Sequence, residues 1–282
     1  MNPPTVDVLA IFINLAKRTN SQQHQSLPIA VVSQMVGNLV GKYRYAISQT
    51  QQTAYDEILK RIKIDTLDPQ TTIYRAAIGV NTTIPDSLSY NIRGFTKEVQ
   101  TAELSTSGRQ PLDENRMKPH SRFVTEGRAN AVGIPVFYCA TDIKTALLEC
   151  RSPAGSAVTV ATVINPKKLK LADLRMQPQN YSWQSESEFW DRVTEEVAVM
   201  FSKRVVGDQA WRDYVLTQHF AELIRRNDYD GIIYSSSQSG GDNLAIFETS
   251  NVEISTMNMF EVTDVDLRYS PLLVTAVDSQ NP

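Results

Sequence analysis

A lone glutamate, two arginines, a tyrosine and a short run of serines are the residues of this chain whose types and spacing could do chemistry. Between Ser121 and Arg151 the sequence reads SRFVTEGRANAVGIPVFYCATDIKTALLECR. It holds a Gly-Arg-x-Asn turn, a short apolar strand read as Ile134 to Tyr138, and a helix carrying Glu149. One tight strand–helix unit would bring an arginine, a tyrosine and a glutamate together, which suits a pocket for an anionic, aromatic ligand with a reacting centre. Arg128 has small residues on both sides, so the backbone can turn sharply and leave the guanidinium facing a cleft. Its planar fork donates two parallel hydrogen bonds to adjacent oxygens, as a diphosphate requires. A surface salt bridge is the competing reading. Arg75 sits beside Tyr74 within an apolar strand, where a charge must be paired or must line a polar cavity. A buried pair with a carboxylate competes there; otherwise the two arginines form a diphosphate clamp.

The Tyr138 ring could stack on a heteroaromatic plane and keep its hydroxyl for a polar partner; a core tyrosine at a strand end is the alternative. Glu149 follows Ala146-Leu147-Leu148 in the last turn of its helix. A carboxylate there opposes the helix dipole, so a local structural reason is lacking. In a cleft it would stabilise positive charge on a sugar ring losing its leaving group. Such a bond breaks through an oxocarbenium-like species, as in glycoside hydrolysis. An ion pair with Arg151 or Lys144 competes. Ser235, Ser236 and Ser237 follow the apolar stretch Ile232 to Tyr234, so one hydroxyl at the strand end could bind a phosphate or an amide; a plain turn would look the same. Asp242 and Asn243, across that turn, would orient the loop.

The elements that must position these groups follow from periodicity. Residues from about 5 to 66 read as helical: Ile29, Val32, Val36, Leu39, Val40, Tyr43 and Ile47 recur at three- and four-residue spacing. Thr71 to Ile78 reads as a strand carrying Tyr74 and Arg75. Gly79 to His120 is long, polar and without period, and is read as a flap over the pocket. Ala157 to Ile164 is strand-like, Ser185 to Val205 and Asp213 to Arg226 are amphipathic helices, and Gly231–Ser235 with Asn243–Glu248 form a hairpin-like pair around Ser239-Gly240-Gly241-Asp242. Val252 to Thr256 adds a short strand. Strands joined by irregular connections, without regular βα alternation, give an α+β class. The expected division is a helical cap over 1–68, a catalytic domain over 69–258 and a tail over 259–282.

Bulk properties narrow the class. At 282 residues, with 41% apolar and 21% charged residues, the chain has ample material for a core. A net charge of −3 gives no basic footprint for nucleic acid. The apolar run Val8 to Leu15 is short for a membrane span and is interrupted by Asn14, and no signal-peptide pattern surrounds it. The expected setting is therefore cytoplasmic, without nucleic acid or membrane as partner. Cys139 and Cys150 make no disulfide framework and read as reduced core thiols. His24, His120 and His219 are not spaced for a metal with them, so no metal is expected. No Gly-rich nucleotide fingerprint and no Gly-x-Ser-x-Gly elbow occurs.

Four pieces arrive in an order that resembles the RES family: Tyr74-Arg75; Gly127-Arg128-Ala129-Asn130 with Gly133-Ile134-Pro135 and Tyr138; Glu149; and Gly231 to Ser236 with Asn243 and Phe247. The resemblance covers roughly Thr71 to Glu248. It implies an ADP-ribosyltransferase-like fold, with small split β-sheets and flanking helices gripping NAD. It implies that Arg75 and Arg128 hold the phosphates, that Tyr74, Asn130, Tyr138, Ser235, Ser236 and Asn243 contact NAD, and that Glu149 is essential, with Arg75 and Tyr138, for cleaving the nicotinamide–ribose bond. Ser236 is the first choice for the family serine and Ser235 the second. NAD is then substrate, no prosthetic group is needed, and inorganic phosphate is a candidate co-substrate beside water. The activities implied are NAD glycohydrolase or phosphorylase, with protein mono-ADP-ribosyl transfer and a non-catalytic NAD-binding module as alternatives. Relatives include toxins silenced by an antitoxin, so an antitoxin or regulatory protein, and a second copy of the chain, are the protein partners to consider. The helical N-terminal region and the Gly79–His120 stretch depart from the compact toxins and offer control of access within the chain itself.

Overall fold

The computed structural model describes residues 7–40, 47–82, 108–175, 182–204 and 210–265. Most of the segment expected to be a flap, residues 83–107, lies outside the described residues, as does the end of the expected C-terminal tail.

Four helices open the chain: α1 (Val8–Ala16), α2 (Ser21–His24), α3 (Leu27–Val40) and α4 (Gln49–Leu59). The start of α4 is fixed by a capping box, in which Ser48 accepts from the Gln51 amide and the Gln51 side chain accepts from the Ser48 amide. The helical reading to residue 66 fails at its end, because Lys63–Leu67 is a strand, β1. Its apolar residues misled: Ile64 is 60% exposed, and β1 exists because β7 (Leu169–Asp173) pairs along it. That partner lies about a hundred residues away in the sequence, so nothing local to β1 announces it.

The remaining strands of the main sheet are β2 (Thr72–Ile78), β5 (Phe137–Ala140), β6 (Ala157–Ile164), β8 (Gly231–Ser235), β9 (Asp242–Ile246) and β10 (Glu253–Glu261). With β1 and β7 they form one eight-stranded sheet in the order β1-β7-β8-β9-β5-β2-β6-β10. Two short strands, β3 (Asn81–Thr82) and β4 (Arg109–Gln110), pair separately, and a short helix α5 (Glu114–Met117) follows. The strand expected over Ile134–Tyr138 instead starts at Phe137 and continues past Tyr138 to Ala140, so Tyr138 is interior. Pro135 explains the late start, since it cannot donate to a ladder. β10 is longer than the expected Val252–Thr256, because its full length follows β6.

All pairings are antiparallel except β7 with β8, which are parallel and are linked through α7 (Glu186–Ser202) and α8 (Ala210–Arg226). Ser185 caps α7, with Glu186 and Glu188 in its first turn where the dipole favours acids. On one face of the sheet Ala172, Ile232, Tyr234, Ala245 and Phe247 share a core with Phe189, Val193, Phe201, Leu216 and Phe220 of these helices, and with Leu9, Val31, Met35, Tyr55 and Ile58 of the N-terminal helices. On the other face Phe137, Ile233, Leu244 and Ile246 meet Leu112 and Met117. The fold class is α+β, as expected. The sheet is close to split at one line: β2 and β5 are joined by a single residue pair, Tyr74 with Ala140.

Candidate active site

A cleft of about 330 Å³ opens at that seam. Tyr74, Arg75 and Ala76 line it from β2, Tyr138 and Ala140 from β5, and Asn243 from β9. Gly127, Arg128, Glu149, Tyr214 and Tyr234 complete the walls, with both cysteines.

Arg75 sits in the seam. Its Nη1 donates to the Tyr138 carbonyl at 2.8 Å, taking an acceptor that an adjoining strand would otherwise use. Its guanidinium lies 5.0 Å from the centre of the Phe137 ring. No carboxylate pairs with it among the described residues, and its Nε is buried without a hydrogen-bond partner there. Burial lowers its basicity, and no carboxylate among the described residues offsets the effect. The competing reading of a buried ion pair is thus not what the fold provides. An uncompensated cation at the wall of a cleft is a strong acceptor of an anion.

The Gly127–Asn130 turn is stapled from three sides. The Tyr138 hydroxyl donates to Asn130 Oδ1 at 2.8 Å and accepts from the Ala129 amide at 2.8 Å. Asn130 itself is buried, and its Nδ2 donates to the Thr125 and Ala131 carbonyls. Gln218 of α8 donates to the Gly127 and Asn130 carbonyls at 3.0 and 2.9 Å. Burial pushes the Tyr138 hydroxyl well above its ordinary pKa, so it remains a donor. Asn130 therefore organises the turn from behind. The Arg128 guanidinium is already engaged with the Met200 and Lys203 carbonyls at the C-terminus of α7, where a cation complements the dipole.

Glu149 ends α6 (Ile143–Glu149), whose start is capped by Asp142. It is exposed to the open cleft, and its Oε1 accepts from Ser236 Oγ at 2.6 Å and from Asn243 Nδ2 at 2.8 Å. Ser236 comes from the β8–β9 connection and Asn243 from β9, so three separate segments converge on one carboxylate oxygen. Ser235 turns elsewhere: it pairs across the hairpin with Asp242. The fold thus brings Tyr74, Arg75, Arg128, Tyr138, Glu149 and Asn243 to one cleft, sets Ser236 against Glu149, and leaves Asn130 and Ser235 beside it.

Both cysteines are free thiols at this wall. Cys139 is buried as expected, but Cys150 is only half-buried. Burial raises them to about 12 and about 11, respectively, so neither is a ready thiolate. His219 packs its ring 4.7 Å from that of Tyr55, away from the cleft walls. Sequence reasoning missed Tyr214, Tyr234 and Gln218. Tyr214 and Gln218 are four residues apart on α8, and that spacing beside the apolar stripe was the available signal.

Among the described residues no group of His, Cys, Asp and Glu is arranged to hold a metal ion, and no helix is long and apolar enough to cross a membrane. No curated protein matches the chain. Among solved structures, a chain in the crystal structure of the M. tuberculosis MbcT–MbcA toxin–antitoxin complex is similar at 14% identity, over 74% of this chain and 92% of that one, with a TM-score of 0.38. The RES domain model matches residues 106–269. That span begins after Tyr74 and Arg75, which the fold nevertheless returns to the same cleft, and it contains Arg128, Tyr138, Glu149, Ser236 and Asn243. With more than half its length matched, the chain belongs to the RES domain family.

Proposed function

We propose that this protein cleaves the nicotinamide–ribose bond of NAD, with water or inorganic phosphate as acceptor. The observation that carries this reading is the pairing, in one cleft, of a buried cation without a carboxylate and a carboxylate held by two donors. Arg75 would take a phosphate oxygen of the dinucleotide. Tyr74, Tyr138, Tyr214 and Tyr234 give the cleft aromatic walls for its rings. Glu149, oriented by Ser236 and Asn243, would face the ribose carbon as the C–N bond breaks. The bonding pair leaves with the nicotinamide nitrogen, neutralising the pyridinium, and positive charge develops on the ribose ring beside the carboxylate. An oxygen of water, whose proton passes to solvent, or an unprotonated oxygen of phosphate then closes the new bond to the ribose carbon. Arg128, engaged with the end of α7, supports the wall, so the phosphate contact rests chiefly on Arg75.

Incubation with NAD, with and without phosphate, while following free nicotinamide and the ribosyl product, tests the reading. Glu149→Gln is expected to lower kcat by roughly a hundredfold to a thousandfold. Nicotinamide release that survives this change unaltered would remove Glu149 from the chemistry. Family membership also supports a toxin-type role restrained by a protein partner that blocks the cleft.

A further inference from the structure

Helix α6 holds the β8–β9 connection at two points, one turn apart. At the far point is Glu149, which meets Ser236. At the near point Thr145, which is 1% exposed, donates from Oγ1 to Asp142 Oδ2 at 2.6 Å and lies 2.7 Å from Ser239 Oγ. A hydroxyl has one proton, and an ionised carboxylate can only accept, so Ser239 must donate to Thr145. Asp142 is held below the usual carboxylate range, first by the Thr145 hydroxyl, which keeps it an acceptor. Ser239 Oγ in turn accepts from the Gly241 amide at 3.1 Å. Gly241 presses so close that a Cβ there would lie 2.2 Å from Asp142 Oδ2 and 2.3 Å from Thr145 Oγ1. The Gly241 carbonyl accepts from the Ser236 amide at 3.0 Å, and the Gln238 amide donates to Ser236 Oγ at 3.1 Å. A connected set of hydrogen bonds thus links Asp142 through Thr145, Ser239 and Gly241 to Ser236, whose hydroxyl donates to Glu149.

We propose that Thr145 is a positioning residue: acting through Ser239, it fixes the 236–241 connection so that the Ser236 hydroxyl meets Glu149. Thr145 and Glu149 are four residues apart on the same face of α6, so the helix acts as a ruler between anchor and acid. The catalytic part of this inference rests on the NAD-cleaving reading above; the anchoring part does not.

Two readouts on the full chain separate these parts. In Thr145→Val, amide hydrogen exchange across residues 236–241 is expected to quicken roughly tenfold, the loss of about one hydrogen bond. Its kcat for nicotinamide release should fall roughly tenfold to a hundredfold with KM for NAD unchanged. Thr145→Ser, which keeps the hydroxyl, should restore both. Ser239→Ala breaks the same chain from the loop side and decides the matter should Thr145→Val fail to fold. Unchanged exchange in Thr145→Val or, where that variant does not fold, in Ser239→Ala, or equal impairment of the valine and serine variants, would overturn the proposal. A wild-type protein that releases no nicotinamide would instead overturn the NAD reading, while the exchange rates still judge the anchor.

Discussion

A methyl group at residue 127 would sit 2.7 Å from the Tyr138 hydroxyl and 2.8 Å from Asn130 Oδ1. Both atoms belong to the hydrogen bonds that hold the turn, so neither can withdraw without leaving a buried partner unmet. Gly127→Ala is therefore expected to destabilise the protein by about 1–3 kcal/mol, read from urea midpoints. Arg75 makes the opposite case. Its cation is buried with no acid beside it among the described residues, so it is a burden to the empty protein. Arg75→Met relieves that burden but leaves the Tyr138 carbonyl without its donor, so thermal stability should change little. NAD binding, on the proposed reading, should weaken roughly tenfold or more by calorimetry. A large loss of stability without loss of affinity would instead assign Arg75 to the fold. At this scale the sequence was informative where a residue was chemically out of place. Glu149 opposed its helix dipole, and a Gly-Arg-x-Asn turn signalled a sharp bend. The partners of Arg128 were not readable, because two main-chain carbonyls more than seventy residues away carry no side-chain signature.

Among the elements, helices and hairpins were legible, and the strands β1 and β7 were not. The periodic runs that became α3, α7 and α8 announce a buried face, and the glycine-rich connection announces the β8–β9 hairpin. β1 was hidden because its strand character comes from pairing with β7, and β7 because it is set by its two neighbours in the sheet, β1 and β8. The seam between β2 and β5 was equally hidden, since nothing in either strand says that the ladder stops after Tyr74 and Ala140. The element that carries a pH dependence is α6. Asp142 has its folded pKa lowered, chiefly by Thr145. The stability it contributes is present above its ordinary value and is lost as pH falls through the lowered one. The urea midpoints of wild type and Thr145→Val should therefore differ at neutral pH and converge below about pH 4. A gap that persists undiminished in acid would mean that the Thr145–Ser239 hydrogen bond, and not the one to the carboxylate, carries the difference.

For the whole molecule, the N-terminal helices share one core with the helices that support the cleft. The Tyr55 ring meets Phe220 edge-on at 5.4 Å, and Arg61 of the segment after α4 pairs with Asp191 of α7. Surface ion pairs of this kind contribute little; the apolar contact dominates. Tyr55→Ala should cost about 3–5 kcal/mol, measured by chemical unfolding, although residue 55 lies outside both the cleft walls and the RES match. An effect below about 1 kcal/mol would mark the helices as a loosely docked cap.

The cross-strand hydrogen bonds that stiffen a continuous sheet are missing between β2 and β5 except at one pair. Backbone resistance to bending is therefore lowest along that line, with Arg75 on the β2 bank and the two donors to Glu149, Ser236 and Asn243, on the β9 bank. Any compound that grips both banks lends its own covalent skeleton to the protein as a cross-brace, so occupancy should register as rigidity far from the atoms it touches.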